Sequence, residues 1–131
     1  MTLIIDASAL VGWVMPDETG LDLGAALTDH DTLLAPWLLW VELRNILLVS
    51  ERRGRLPAGM ADQIVEAVDE LDIQLDIAPA GPVVLDLARR HGLTAYDALY
   101  LETALRHGGT LASLDKALTR AATAEGVEVL A

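Results

Sequence analysis

The chain has 131 residues, 53% of them hydrophobic, with 9 Lys and Arg against 20 Asp and Glu and a formal net charge of −11. That length predicts a single domain over 1–131 with a core of its own, and the charge argues against the usual basic surface for gripping phosphate. With no Cys there is neither a disulfide framework nor a thiolate metal site, and the longest apolar run, from Ala35 to Val41, falls far short of the ~20 residues of a membrane span.

In chain order, Thr2 to Asp6 reads as a buried strand, entered from Met1 with no basic or long apolar leader, so no signal peptide and a cytoplasmic setting are expected. Ala7 to Met15 reads as a helix stopped by Pro16, and Glu18 to Thr28 as a second. A brief strand at Thr32 to Ala35 leads to Pro36, which suits the first turn of a long helix reaching about Arg53. Pro57 opens a helix from Ala58 to Leu71, and Ile73 to Ile77 alternates as a half-exposed strand does. Pro82 to His91 is a helix stopped at Gly92, and Thr94 is positioned to cap a helix from Ala95 to Arg106 that ends at Gly108-Gly109. Thr110 to Ala112 is a strand, Asp115 to Ala124 a helix and Val127 to Leu130 a last strand.

Short strands separated by helices predict an α/β fold: a mainly parallel sheet of short strands flanked by helices on both faces. Ligands of such sheets bind beyond the carboxyl ends of the strands. Asp6 ends the first strand and Asp115 follows the strand at Thr110, so both fall at that edge.

Four acids sit within apolar sequence: Asp6 after Leu3-Ile4-Ile5, Glu42 within Trp37 to Leu43, Asp97 before Ala98-Leu99-Tyr100-Leu101, and Asp115 after Leu111-Ala112-Ser113-Leu114. A buried carboxylate without a partner costs several kcal/mol or takes up a proton. With so few cations in the chain, a metal ion is the natural counter-charge. Oxygen donors without Cys or a His pattern suit Mg²⁺ or Mn²⁺ better than Zn²⁺, and such a site can activate water against a phosphodiester. The competing reading of Asp6 and Asp115 is a helix N-cap, of Asp97 a favourable first-turn charge, and of Glu42 a salt bridge. Ser8 is a candidate for orienting Asp6, Asn45 shares the helix face of Glu42, and Ser113 precedes Asp115 as a loop hydroxyl. Glu102, five residues past Asp97, reads as exposed, and Asp86 is spaced to pair with Arg89 or Arg90. The acids from Asp62 to Asp76 read as a solvated helix face and its exit, and His30, His91 and His107 as capping or surface residues.

The segments Leu3-Ile4-Ile5-Asp6-Ala7-Ser8-Ala9, Glu42-Leu43-Arg44-Asn45, Leu93 to Leu101 and Leu111 to Leu118 occur in an order and at a spacing that resemble the PIN domain, specifically the small VapC-type ribonuclease toxins of toxin–antitoxin pairs. The resemblance implies a three-layer sandwich and a Mg²⁺- or Mn²⁺-dependent endoribonuclease acting on RNA. It also implies a homodimer and a small antitoxin protein that covers the active-site groove. By the same resemblance Asp6 and Asp97 are direct metal ligands, Glu42 and Asp115 complete the acidic pocket, and Ser8 and Asn45 are supporting positions. The scarcity of Lys departs from what an RNA binder needs and leaves Arg44, Arg52, Arg53, Arg55 and Lys116 to grip substrate. A second reading is a catalytically inactive relative that acts by binding a partner protein, which the apolar fraction and acidity favour. A third, a phosphoryl-accepting domain with Asp6 as nucleophile, lacks the second acid it would want at position 8, which is Ser.

Overall fold

A computed structural model of the protein describes residues 1–15 and 21–130. Its elements are β1 (Thr2–Ile5), α1 (Ala7–Val14), α2 (Leu23–Asp29), β2 (Thr32–Pro36), α3 (Leu38–Arg52), α4 (Met60–Asp69), β3 (Gln74–Asp76), α5 (Gly81–His91), α6 (Ala95–His107), β4 (Thr110–Ala112), α7 (Lys116–Ala124) and β5 (Val129–Leu130). The strands form one sheet in the order β3-β2-β1-β4-β5, and every pairing is parallel. The α/β sandwich expected from alternating strands and helices is therefore present.

The central strands are buried on both faces, as an all-parallel sheet requires. Leu3, Ile4, Ile5, Leu111 and Ala112 are wholly excluded from solvent. They join Leu10, Leu47, Leu87, Leu101 and Leu118 in one core cluster.

The strand order also locates a crevice. From β1 the chain moves one way through β2 to β3, then returns to place β4 and β5 on the other side of β1. The reversal lies between β1 and β4, where open parallel sheets bind their ligands. The register pairs Ile5 with Ala112, so Asp6 and Ser113, the next residue on each strand, stand side by side at the carboxyl edge.

Two of the boundaries that differ from the sequence reading have a clear physical reason. Pro36 ends β2 instead of opening α3: it is in register with Asp76, and Trp37 donates its N–H to the Asp76 carbonyl at 2.9 Å before the helix begins. The helix after Pro57 starts only at Met60, because Gly59 adopts φ 83°, a left-handed conformation that no helical residue takes. The expected helix stop at Pro16 and helix start at Glu18 lie outside the described residues; the second helix is described from Leu23, with the Asp22 side chain accepting the Gly24 N–H at its start.

Candidate active site

Asp6 is 4% exposed and is both the end of β1 and the N-cap of α1. Its Oδ1 accepts the Ala9 N–H at 2.9 Å and the Ser8 hydroxyl at 2.8 Å. Its Oδ2 accepts the Ser113 hydroxyl at 2.5 Å. Ser8 in turn accepts the Leu114 N–H at 2.9 Å, and Ser113 the Asp115 N–H at 3.0 Å. The two serines thus bolt the loop after β4 onto the loop after β1. Burial holds the Asp6 carboxyl above the ordinary aspartate range; the hydrogen bonds from Ser113, Ala9 and Ser8 oppose this, and the Asp115 charge adds to it.

Asp115 caps α7, its Oδ1 accepting the Leu118 N–H at 2.9 Å, so the cap reading is correct, and its charge also reaches Asp6. Asp97 lies in the first turn of α6, its own N–H donated to the Thr94 cap at 3.2 Å. Its carboxyl is raised by burial first, then by the charges of Asp115 and Asp6. Glu42, half-buried in the middle of α3, accepts the Tyr100 hydroxyl on Oε1 at 2.6 Å. Burial raises its carboxyl as well, the Tyr100 bond lowers it, and Asp6 and Asp97 push it up again. Asp6, Glu42 and Asp97, from three distant segments, therefore each feel the charge of at least one other of the four acids.

Among the described residues, no Lys or Arg forms an ion pair with Asp6, Glu42, Asp97 or Asp115. The salt-bridge alternative for Glu42 is excluded in particular: Arg44 bends back to donate to the Trp40 carbonyl at 3.0 Å, with its guanidinium 3.8 Å above the Trp40 ring. Nor, among the described residues, do three acidic or His side chains converge closely enough to enclose a metal ion as they stand. The donor set still fits a hard divalent cation. It consists of oxygens only, it carries unbalanced negative charge, and Mg²⁺ typically takes one or two carboxylates and completes its shell with water.

The remaining residues singled out in the sequence divide clearly. Ser8 and Ser113 belong to the acidic site; Asn45 is exposed on α3 and makes no recorded contact with it. Glu102 is not exposed as expected but 2% exposed. Arg106, one turn on, neutralises it at 2.6 Å, and the Ala80 N–H donates to the same oxygen at 3.2 Å. Asp76, expected on a solvated face, is held by Arg106 at 2.7 Å and His107 at 2.6 Å. The hydrogen bond from Arg106 is the main reason its carboxyl lies well below the ordinary range. Asp86 pairs with Arg90 at 3.0 Å as its spacing implied. Tyr100 was missed; its signal was a phenol three residues after Asp97 inside an apolar run.

The chain is similar to known proteins along nearly its whole length. The PIN domain family model matches residues 3–124. Ribonuclease VapC3 of Pyrobaculum aerophilum is 33% identical over 121 residues, 90% of this chain and 92% of that protein. The crystal structure of PAE2754 from the same organism superposes with a TM-score of 0.72 at 25% identity, covering 98% of this chain and 92% of that one. FitAcB from Neisseria gonorrhoeae superposes with a TM-score of 0.63 at 18% identity, covering 98% and 96%, a likeness of fold. With an all-parallel sheet, acidic residues grouped about Asp6 at its carboxyl edge and a family match across almost its whole length, the chain belongs to the PIN domain family.

Proposed function

We propose that the protein is a Mg²⁺- or Mn²⁺-dependent endoribonuclease, the toxin of a toxin–antitoxin pair, and that it cuts RNA phosphodiesters at Asp6, Glu42, Asp97 and Asp115. The observation that carries this reading is the uncompensated charge: burial and the charge of neighbouring acids each push the Asp6, Glu42 and Asp97 carboxyls up, and among the described residues no Lys or Arg is paired with them. A fold has no use for such repulsion, whereas a divalent cation relieves it. The 33% identity to a ribonuclease supports RNA as substrate.

In this mechanism Asp6 and Asp97 are the direct ligands, and Glu42 and Asp115 hold water at the rim. When bound, the metal supplies a Lewis acid for the phosphate oxygens and lowers the pKa of the attacking water. Ser8 and Ser113 fix the Asp6 carboxylate before substrate arrives, so its orientation costs nothing at the moment of reaction. The water's oxygen would bond to phosphorus as the bond to the leaving ribose oxygen breaks, a carboxylate of the site taking the water's proton and the leaving oxygen taking a proton from solvent. Lys116, exposed beside Asp115, and Arg52 and Arg53, exposed at the end of α3, are the cations offered to the RNA backbone.

A homodimer and an antitoxin covering the groove complete the proposal. Their support is apolar surface: a groove of about 700 Å³ lined by Trp37, Pro82, Leu85, Tyr96 and Leu99, and another of about 310 Å³ between α1 and α4 at Trp13, Ile64 and Val68. Light scattering of the purified chain reads the dimer directly.

Cleavage of structured RNA by the purified protein with Mn²⁺ or Mg²⁺, abolished by EDTA and by Asp6→Ala or Asp97→Ala in folded variants, is the expected result. Wild-type rates in both variants would remove the site assignment. Absence of any cleavage, together with tight capture of a partner protein, would favour the purely binding role.

A further inference from the structure

The five aromatic side chains of this chain are distributed unevenly. Trp13, Trp37, Trp40 and Tyr96 are 37%, 48%, 54% and 63% exposed, whereas Tyr100 is 2% exposed. The chain contains no Phe, so nothing in its core is a plain phenyl ring. A buried phenol must find an acceptor. On the same helix, Thr103 satisfies its hydroxyl locally, on the Leu99 carbonyl at 2.8 Å. Tyr100 instead reaches across to α3, 58 residues away in sequence, and donates to Glu42 Oε1 at 2.6 Å. That bond takes one of the two lone pairs of Oε1. Oε2 has no hydrogen-bond partner, and since no buried side-chain oxygen is left unsatisfied among the described residues, it is open to solvent.

The geometry points to Tyr100 as a positioning residue: its hydroxyl holds Oε1 of Glu42 so that Oε2 is the oxygen presented to a divalent cation, or to the cation's water, in the acidic pocket. The inference rests on that pocket being a metal site. Glu42 stands mid-helix, where a glutamate has three free torsions and no cap or ion pair to restrain it. One bond from a rigid buried ring removes much of that freedom before the metal arrives. Partners behind a ligand that fix its orientation are commonly worth 10–100-fold in metal affinity. The bond also ties α6, which carries Asp97, to α3, which carries Glu42, so the spacing of two pocket acids depends on it.

The test is Mn²⁺ binding followed by the electron paramagnetic resonance of free Mn²⁺, with no RNA present. Tyr100→Phe keeps the ring and removes only the hydroxyl. We expect its Mn²⁺ dissociation constant to rise by about tenfold or more, and the same substitution made on a Glu42→Ala background to change nothing further. An unchanged dissociation constant in Tyr100→Phe, with wild-type protein binding normally, overturns the positioning role and leaves the metal site standing. An equal loss in the Glu42→Ala background overturns it too, because Tyr100 would then act on the fold and not through Glu42. Failure of the wild-type protein to bind Mn²⁺ overturns the metal reading itself. If Tyr100→Phe does not fold, Tyr96→Phe leaves Tyr100 as the only tyrosine. Its Raman hydrogen-bonding doublet should then shift on adding Mn²⁺, and an unmoved doublet counts against the proposal.

Discussion

Ser113 donates its hydroxyl to Oδ2 of Asp6 at 2.5 Å across 107 residues of sequence, while its oxygen accepts the Asp115 N–H at 3.0 Å. One buried side chain thus holds one pocket acid by its carboxylate and another by its backbone. Ser113→Ala removes both bonds and leaves the Asp115 N–H without its acceptor. Loss of the bond that opposes burial should raise the Asp6 carboxyl further. We expect a stability loss of about 1–2 kcal/mol by urea denaturation and a weakening of Mn²⁺ binding by about tenfold or more. A variant with lower stability and unaltered Mn²⁺ affinity would show the serine to be a strut of the fold only.

Glu42→Gln should stabilise the metal-free protein. The amide oxygen still accepts from Tyr100, but the repulsion from Asp6 and Asp97 is gone. The sign follows from the raised carboxyl. A folded-state pKa above the unfolded one means that the folded state binds more protons in between, so stability falls as pH rises through that window. Glutamate ordinarily titrates near 4.5. Below that pH wild type and variant should melt alike; above the raised value the variant should melt higher by about 3 °C, the shift that ~1 kcal/mol gives in a domain of this size. Added Mn²⁺ should reverse the order at pH 7, because only the wild type has the full ligand set.

The scaffold was readable, and the four acids were marked as candidates, because each left a local mark. Strands showed as short apolar or alternating runs between helices, β1 being β-branched as well, and Asp6, Glu42, Asp97 and Asp115 stood out as charges in apolar surroundings. Glu102 left the same kind of mark and was misjudged, since spacing from Asp97 put it round the helix and sequence alone does not say that the far side of α6 is also buried. Its clue was Arg106 four residues on, a pairing that lets a carboxylate be covered. Pro36 was misplaced because a proline suits both a strand end and a helix start, and the choice depends on β3, 38 residues later. The Tyr100 bond to Glu42 and the Ser113 bond to Asp6 join residues 58 and 107 apart, and no local pattern encodes a distance of that kind.

Arg106 is the keystone of a second polar cluster. It binds Glu102 at 2.6 Å and Asp76 at 2.7 Å, and Asp76 also accepts the Ala78 N–H at 3.0 Å, so the loop from β3 to α5 is clasped to α6. Arg106→Ala strands the buried Glu102 with only the Ala80 N–H, a change that typically costs about 3–5 kcal/mol. Glu102→Gln with Arg106→Ala should recover much of that loss. Asp76→Asn probes the other arm. Because its folded carboxyl is depressed below the ordinary 3.8, its contribution is complete at neutral pH and disappears as pH falls below that value. The stability gap between Asp76→Asn and wild type should therefore be widest near pH 7 and close toward pH 2, followed by urea denaturation across that range.

Gly109 stands where α6 turns into β4. A Cβ there would press on Ile4 Cδ1 and lie 2.9 Å from the Thr2 carbonyl oxygen. The isoleucine tip can rotate, but the carbonyl belongs to the backbone of β1, which is in register with β4 at Leu3 and Thr110. Relief would have to come from moving one central strand against the other, and β1 and β4 lead directly to Asp6 and Ser113. We expect Gly109→Ala to cost about 1–3 kcal/mol as overpacking and to weaken Mn²⁺ binding although it touches no pocket residue. Gly81 provides the contrast: it begins α5, a Cβ there meets nothing within 4 Å, and its backbone is not left-handed. Gly81→Ala should raise stability by about 0.4–1 kcal/mol by restricting the unfolded chain and leave Mn²⁺ binding as it was. Equal melting temperatures for the two variants would mean that the β1–β4 contact has slack, and that the crevice does not depend on how closely those strands approach.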